Sequence, residues 1–270
     1  MRLYCEDKQS LYDLQTKAAF APLMNFLLGN PNCTLRQLTA EFPEKSFIKY
    51  LESCIQVGWF KRENRRYSIA LPIYGLKEYQ EGSQSLAITQ LRTELMALAP
   101  AELATVCQNV MSAQPERAYF VNGDFPLGTL HHGGLPCELQ VFSISTQENS
   151  QDLAGFFEAN RHLAEPVVYQ KLRELIGDVD EEYYFQQVQW ILSRVIKERP
   201  QKASIFLESL KLTGVLAEEK LQVPYLRRIT EKTSLIDKIT GLNYWELTIL
   251  LGSIVEKEEK GLFQWFYKEK

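Results

Sequence analysis

Residues 34–71 read TLRQLTAEFPEKSFIKYLESCIQVGWFKRENRRYSIAL, and the punctuation of this stretch decides the N-terminal fold. Thr34 is a good helix cap, and Gln37 three positions on completes a capping-box pattern, which predicts a short helix over 34–41. Pro43 breaks the chain and opens a further helix over 44–57, whose apolar positions Phe47, Ile48, Leu51, Cys54 and Ile55 recur every three or four residues. Gly58 follows as a left-handed helix stop. Trp59 to Arg62 and Tyr67 to Leu71 read as two strands joined by a turn over 63–66, with Tyr67, Ile69 and Leu71 alternating onto one inward face. Upstream, Ala18, Ala19, Leu23, Phe26 and Leu27 predict an earlier helix over 14–28, ended by Gly29-Asn30-Pro31.

Helix, short helix, turn, helix, glycine and two-stranded wing, in that order, resemble the winged helix-turn-helix superfamily. The resemblance is carried by Thr34 to Leu38, Phe47 to Gly58 and Trp59 to Leu71. More narrowly, Phe20 to Pro72 is similar to an uncharacterised domain-of-unknown-function family of low-GC Gram-positive bacteria, a similarity that implies no activity. The winged-helix resemblance implies a helix that fits the major groove and a wing that reaches phosphates. With its apolar stripe inward, helix 44–57 shows Lys45, Ser46, Lys49, Ser53 and Gln56 outward. The candidate DNA contacts are Lys45 and Lys49 on the helix, Lys61, Arg62, Arg65 and Arg66 as a phosphate clamp in the wing, and Arg36 as a backbone contact. Glu44, Glu52 and Glu63 oppose this reading, and the helix has no arginine for guanine, so backbone contact is expected over readout of a specific site. The alternative is a non-enzymatic interaction or scaffold protein whose winged helix docks a protein and binds no DNA.

Over its 270 residues the chain is 45% apolar and 24% charged, which excludes wholesale disorder. A net charge of −4 excludes a protein that coats nucleic acid over its whole surface. Residues 1–80 nevertheless hold 11 basic and 8 acidic side chains, and residues 81–270 hold 19 and 26. The five cysteines are widely spaced and form no C-x-x-C pair, against a disulfide scaffold or zinc ribbon, and Cys33 and Cys54 read as buried thiols. With no signal peptide and no long apolar run in view, a cytoplasmic protein without a membrane partner is expected.

The polar stretch 74–84 is expected to divide a winged-helix domain over 1–80 from a larger helical α+β domain over 85–270. The fold class expected is α+β, mainly helical, with a small β element. Helices are predicted at 85–98, 100–112, 151–163, 166–177, 181–199, 203–213, 230–240 and 243–259. Strands are predicted at 117–121 and 138–143, separated by a glycine-rich loop, with a short one at 221–223. The terminal cluster Phe263, Trp265, Phe266 and Tyr267 either seals the domain as a last strand or mediates dimerisation. Tyr50-Leu51-Glu52-Ser53 and Phe206-Leu207-Glu208-Ser209 match in type, and Gly58 and Gly214 follow at the same offset. The second copy is either a degenerate winged helix over 181–224 with an acidic wing or a chance helix-to-strand corner.

Chemistry is sparse. His131-His132-Gly133-Gly134 is superficially like an esterase oxyanion loop, but no G-x-S-x-G elbow accompanies it. As half of a metal site it would need Asp124, Cys137 or His162, at a spacing that fits no zinc pattern, so an exposed hairpin loop is expected. Asp178 to Glu182 read as a helix cap and an acidic first turn. No phosphate-binding glycine motif occurs. No catalytic residue, metal or cofactor is assigned. The expectation is a DNA-binding or transcription-regulatory protein, not an enzyme. Its candidate partners are double-stranded DNA, a protein or a second copy of the chain, and its second domain would serve an effector, a dimer or a partner.

Overall fold

The computed structural model describes residues 2–5, 14, 17–111, 118–135, 137–146, 151–161, 167–227, 234–256 and 261–268. The fold is α+β and mainly helical, as expected. It forms two compact units, one of residues 1–81 with 115–125, the other of 82–114 with 126–270.

The first unit contains β1 (Arg2–Cys5), α1 (Phe20–Gly29), β2 (Cys33–Thr34), α2 (Leu35–Glu41), α3 (Lys45–Gln56), β3 (Phe60–Glu63), β4 (Arg66–Ile69) and β5 (Ile73–Tyr74). The capping box forms as predicted: the Gln37 amide donates to Thr34 Oγ1 at 3.3 Å, and the Thr34 amide donates to Gln37 Oε1 at 2.8 Å. Gly58 ends α3 at φ +80°, a conformation that a side chain resists. The chain then turns into the β3–β4 hairpin, which β2 extends to a three-stranded antiparallel sheet of order β2-β4-β3. The hairpin turn is shorter than expected. Asn64 and Arg65 alone make it, at φ +50° and +61°, the two left-handed residues of a type I′ turn. Phe20, Leu23, Leu38, Phe47, Leu51, Cys54, Trp59, Phe60 and Tyr67 form one buried cluster beneath the sheet and helices. Ile48 departs from the expected stripe and is 45% exposed.

The stretch 74–84, where a domain boundary was expected, is where the two units divide, after residue 81. It holds the end of β5 and α4 (Leu76–Ser83), which Glu78 caps by accepting from the Gly75 amide at 2.8 Å. After α5 (Leu86–Met96) and α6 (Pro100–Met111) comes β6 (Ala118–Val121), which pairs antiparallel with β1 and parallel with β5. The strand expected within the second domain thus groups with the first unit.

The second unit continues with β7 (Thr129–Gly133), β8 (Leu139–Ser145), α7 (Leu153–Arg161), α8 (Gln170–Ile176), α9 (Glu181–Val195), α10 (Ile205–Leu212), β9 (Leu216–Ala217), β10 (Lys220–Leu221), β11 (Tyr225–Leu226), α11 (Ser234–Thr240), α12 (Tyr244–Val255) and β12 (Leu262–Lys268). The terminal aromatics seal the unit: β12 pairs antiparallel with β8 from Leu262↔Ser145 to Lys268↔Leu139, inside a sheet of order β11-β12-β8-β7. Leu139 and Val141 on one face of β8 pack with Phe156, Phe157, Tyr184 and Phe185 in a buried core. On the other face Phe142 stacks between His132 and Trp265, at 4.2 and 5.6 Å between centroids. A Cβ at Gly252 of α12 would lie 1.8 Å from the Pro126 carbonyl oxygen, so the helix passes the chain just before β7 at a distance only glycine allows. Asp180 caps α9 as predicted, accepting from the Tyr183 amide at 3.0 Å.

The internal echo is structural at its corner. Gly58 and Gly214 both lie at positive φ, and Glu218 and Glu219, at φ +48° and +61°, repeat the turn of Asn64 and Arg65. The Trp59 carbonyl accepts from Ala70 and the Val215 carbonyl from Gln222, each at 2.9 Å. The likeness stops there. The second hairpin is two strands without a counterpart of β2, and α10 has 8 residues against 12 in α3. No helix among the described residues is long and apolar enough to cross a membrane.

Candidate nucleic-acid interface

The side chains of α3 sort by its 3.6-residue period. Phe47, Leu51 and Cys54 enter the core, and Lys45, Ser46, Ile48, Lys49, Glu52 and Gln56 stay exposed. Lys45 and Lys49 are one turn apart on this outer face. Ser53 is only half-exposed, and its Oγ donates to the Lys49 carbonyl at 3.0 Å, so this hydroxyl is engaged by its own helix.

The hairpin does not present its cations as one clamp. Successive strand residues point to opposite faces. Phe60 and Tyr67 are buried, and Arg62, paired opposite Tyr67, lies on their side of the hairpin. There its Nη1 meets Glu52 Oε1 of α3 at 3.5 Å. Lys61 and Arg66 lie on the opposite side: Lys61 pairs with Glu63 at 3.4 Å, and Arg66 Nη1 donates to the Asn32 carbonyl at 3.4 Å. Arg65 occupies the tip, and Arg36 is exposed in the first turn of α2. The four wing cations are therefore split, one beside α3, one at the tip and two behind. Glu52 and Ile48 belong to the helix face as much as the lysines do. Glu52 was seen in the sequence as an opposing charge, but its partner Arg62 is ten residues on and is found only by folding the hairpin back.

The second unit holds a polar seam where an exposed histidine loop was expected. His131 to Gly133 lie in β7, and both histidines are half-buried. Glycines on both sides, and Thr129 as the strand's single β-branched residue, hid this strand. His131 Nδ1 lies 2.5 Å from Glu158 Oε2 of α7, and its Nε2 lies 3.3 Å from Ser145 Oγ. Serine, histidine and carboxylate in line have the order of a hydrolase triad. Here Ser145 is 3% exposed, Gly133 pairs with Val141 in the sheet, and the Gly134 amide already donates to Glu181 Oε1 at 2.6 Å. The loop amides that an oxyanion would need are thus engaged. Beside this chain Asp152, fully buried, accepts from Ser143 Oγ and the Gly155 amide, each at 2.6 Å. Arg161 bonds the His132 carbonyl and meets Glu181 at 2.7 Å. Burial, then the neighbouring Arg161 charge, hold His132 down at about 4, and burial holds Glu181 above its ordinary value. Burial likewise pushes the Cys54 thiol up to about 11 and that of Cys107 to about 12. Among the described residues no group of three or more histidines, cysteines or carboxylates could hold a metal ion, and His162 lies outside them.

Residues 1–105 match the model of a family described as a domain of unknown function (DUF1803). The match spans the whole of α1 to β5 and continues through α5. No curated protein and no solved structure matches the chain.

Proposed function

We propose that the first unit binds double-stranded DNA, with α3 toward the major groove and the hairpin tip at the backbone. The protein would then be a cytoplasmic regulator, and its second unit would serve binding rather than catalysis. The observation that carries this reading is the outer face of α3, where Lys45 and Lys49 have no acidic partner among the described residues while Arg62 pairs with Glu52 on the same face. The order α1-β2-α2-α3-β3-β4, with β2 against β4, resembles a winged helix-turn-helix and supports the same reading. The cations present suit phosphates better than base edges, so affinity without strong sequence preference is expected.

The test is the anisotropy of a labelled duplex titrated with protein across a salt series. Log affinity should fall with log salt at about 0.9 per phosphate contact, and Lys45→Gln with Lys49→Gln should flatten the slope by about 2. Absence of binding at about 50 mM salt sinks the proposal. One observation favours a second reading: Ile48 at 45% and Leu35 at 38% exposure are apolar groups on the helices that would meet the DNA. If the unit docks a protein instead, Ile48→Ser abolishes that contact and salt has little effect.

A further inference from the structure

Of the four tryptophans, Trp59, Trp245 and Trp265 are buried, whereas Trp190 is 48% exposed. Trp190 stands on α9 and lines an open cleft of about 630 Å³. Gln186, Gln189 and Ser193 of the same helix, Tyr225 of β11, Arg227 just beyond it and Lys268 at the end of β12 complete the lining. The volume is that of a small-molecule site, and its lining of two aromatic rings among five polar or charged side chains suits a planar, charged ligand over an apolar one.

The charge of this cleft runs against its surroundings. Residues 81–270 carry 26 acidic and 19 basic side chains, yet the lining holds two cations and, among the described residues, no carboxylate. Arg227 stands over the Tyr225 ring at 5.7 Å. Arg194 stands over the Trp190 ring at 4.8 Å and donates from Nε to the Pro200 carbonyl at 3.2 Å, which braces one face of the indole. Lys268 meets Glu138 only at 3.8 Å, with the carboxylate side chain 67% exposed, a contact too weak to hold the ammonium against a bound anion.

We propose that this cleft binds a nucleoside monophosphate. A planar base stacks on the open face of Trp190 and beside Tyr225, and the phosphate sits between Arg227 and Lys268. The Gln189 amide, both donor and acceptor, meets the base edge, and Gln186, whose Nε2 donates to Glu182 Oε1 at 3.4 Å, offers its oxygen beside it. A bare anion would leave the rings uncovered, and an uncharged nucleoside would leave the cations unmatched. The proposal does not rest on DNA binding by the first unit.

Tryptophan fluorescence tests it on the full chain, because Trp190 is the one indole that solvent and ligand reach. AMP, GMP, CMP and UMP are titrated in turn, with adenosine and inorganic phosphate as separate probes. Saturable quenching by at least one monophosphate is expected, with Kd below about 1 mM and adenosine and phosphate at least about tenfold weaker. Arg227→Gln and Lys268→Gln should each weaken that nucleotide by about tenfold or more without moving the unfolding midpoint. Trp190→Phe should remove the optical signal while calorimetry still detects weakened binding. The Arg65→Gly variant, altered only in the first unit, should bind as the parent does. The proposal is overturned if no monophosphate quenches up to about 5 mM while iodide still does. It is equally overturned if both charge variants bind unchanged, or if only single-stranded oligonucleotides bind.

Discussion

Arg62 Nη1 of the hairpin lies 3.5 Å from Glu52 Oε1 of α3, and this pair sets the net charge of the helix face. Both side chains are more than half exposed, so the pair contributes little to stability, and its weight is electrostatic. Glu52→Gln removes a carboxylate that shares the face of Lys49 and takes from Arg62 its acidic partner on α3. Duplex affinity should rise about threefold to tenfold and the salt slope steepen by about 0.9. Anisotropy across a salt series reads both, and weaker binding by this variant would place the DNA elsewhere.

Arg65 separates folding from binding. It is held at φ +61° at the second position of the hairpin turn, where glycine is preferred. Arg65→Gly relieves about 1–2 kcal/mol of left-handed strain and gives back about 0.5–1 kcal/mol in unfolded-chain entropy, a net gain of a few tenths to about 1 kcal/mol. Urea unfolding should show the gain while the salt slope of DNA binding falls by about 0.9.

His132 sets a pH dependence. Its value in the folded protein, about 4, lies below the ordinary 6.5, so the unfolded chain binds the proton more tightly. Its contribution is fully present above pH 6.5 and is lost as pH falls toward 4, in total about 3 kcal/mol. Glu181, raised in the folded state, works in the opposite sense. Thermal melts of the parent and His132→Gln compared between pH 7 and pH 4 should therefore converge as acid is added. Parallel curves would show that His132 is not buried as a neutral ring.

Two glycine-to-alanine changes should have opposite signs. At Gly252 the new methyl meets the Pro126 carbonyl oxygen at 1.8 Å, backbone that cannot turn aside, and a loss of about 3 kcal/mol or more is expected. At Gly29, the last residue of α1, nothing lies within 4 Å, and alanine should stabilise by about 0.5–1 kcal/mol. Urea midpoints of the two variants decide both.

Local chemistry made much of the first unit legible. Thr34 with Gln37, Pro43, Gly58 and the alternation after it place α2, α3 and the hairpin to within a residue or two. The stretch 74–84 is legible as a boundary but not as a helix, because its two glycines and its polarity hide a capped helix with little apolar surface of its own. β7 is missed because its ladder, and not its residue types, makes it a strand.

The seven candidate contacts are all exposed, but their grouping was not legible. Four cations within six residues look like one patch in a line of letters, and pleating sends them to two faces and a tip. The cleft at Trp190 joins residues 186 to 268, and the seam at His131 joins residues 131 to 181. Neither has a spacing to read. Periodicity, caps and turn residues act over a few positions, so the chain alone settles most of its helices, its corner glycines and the charge of each segment. Which charges share a surface, which histidine is neutralised by burial and which tryptophan is left for a ligand depend on contacts between residues far apart in the chain. Those contacts form only when the sheets and helices close on their cores.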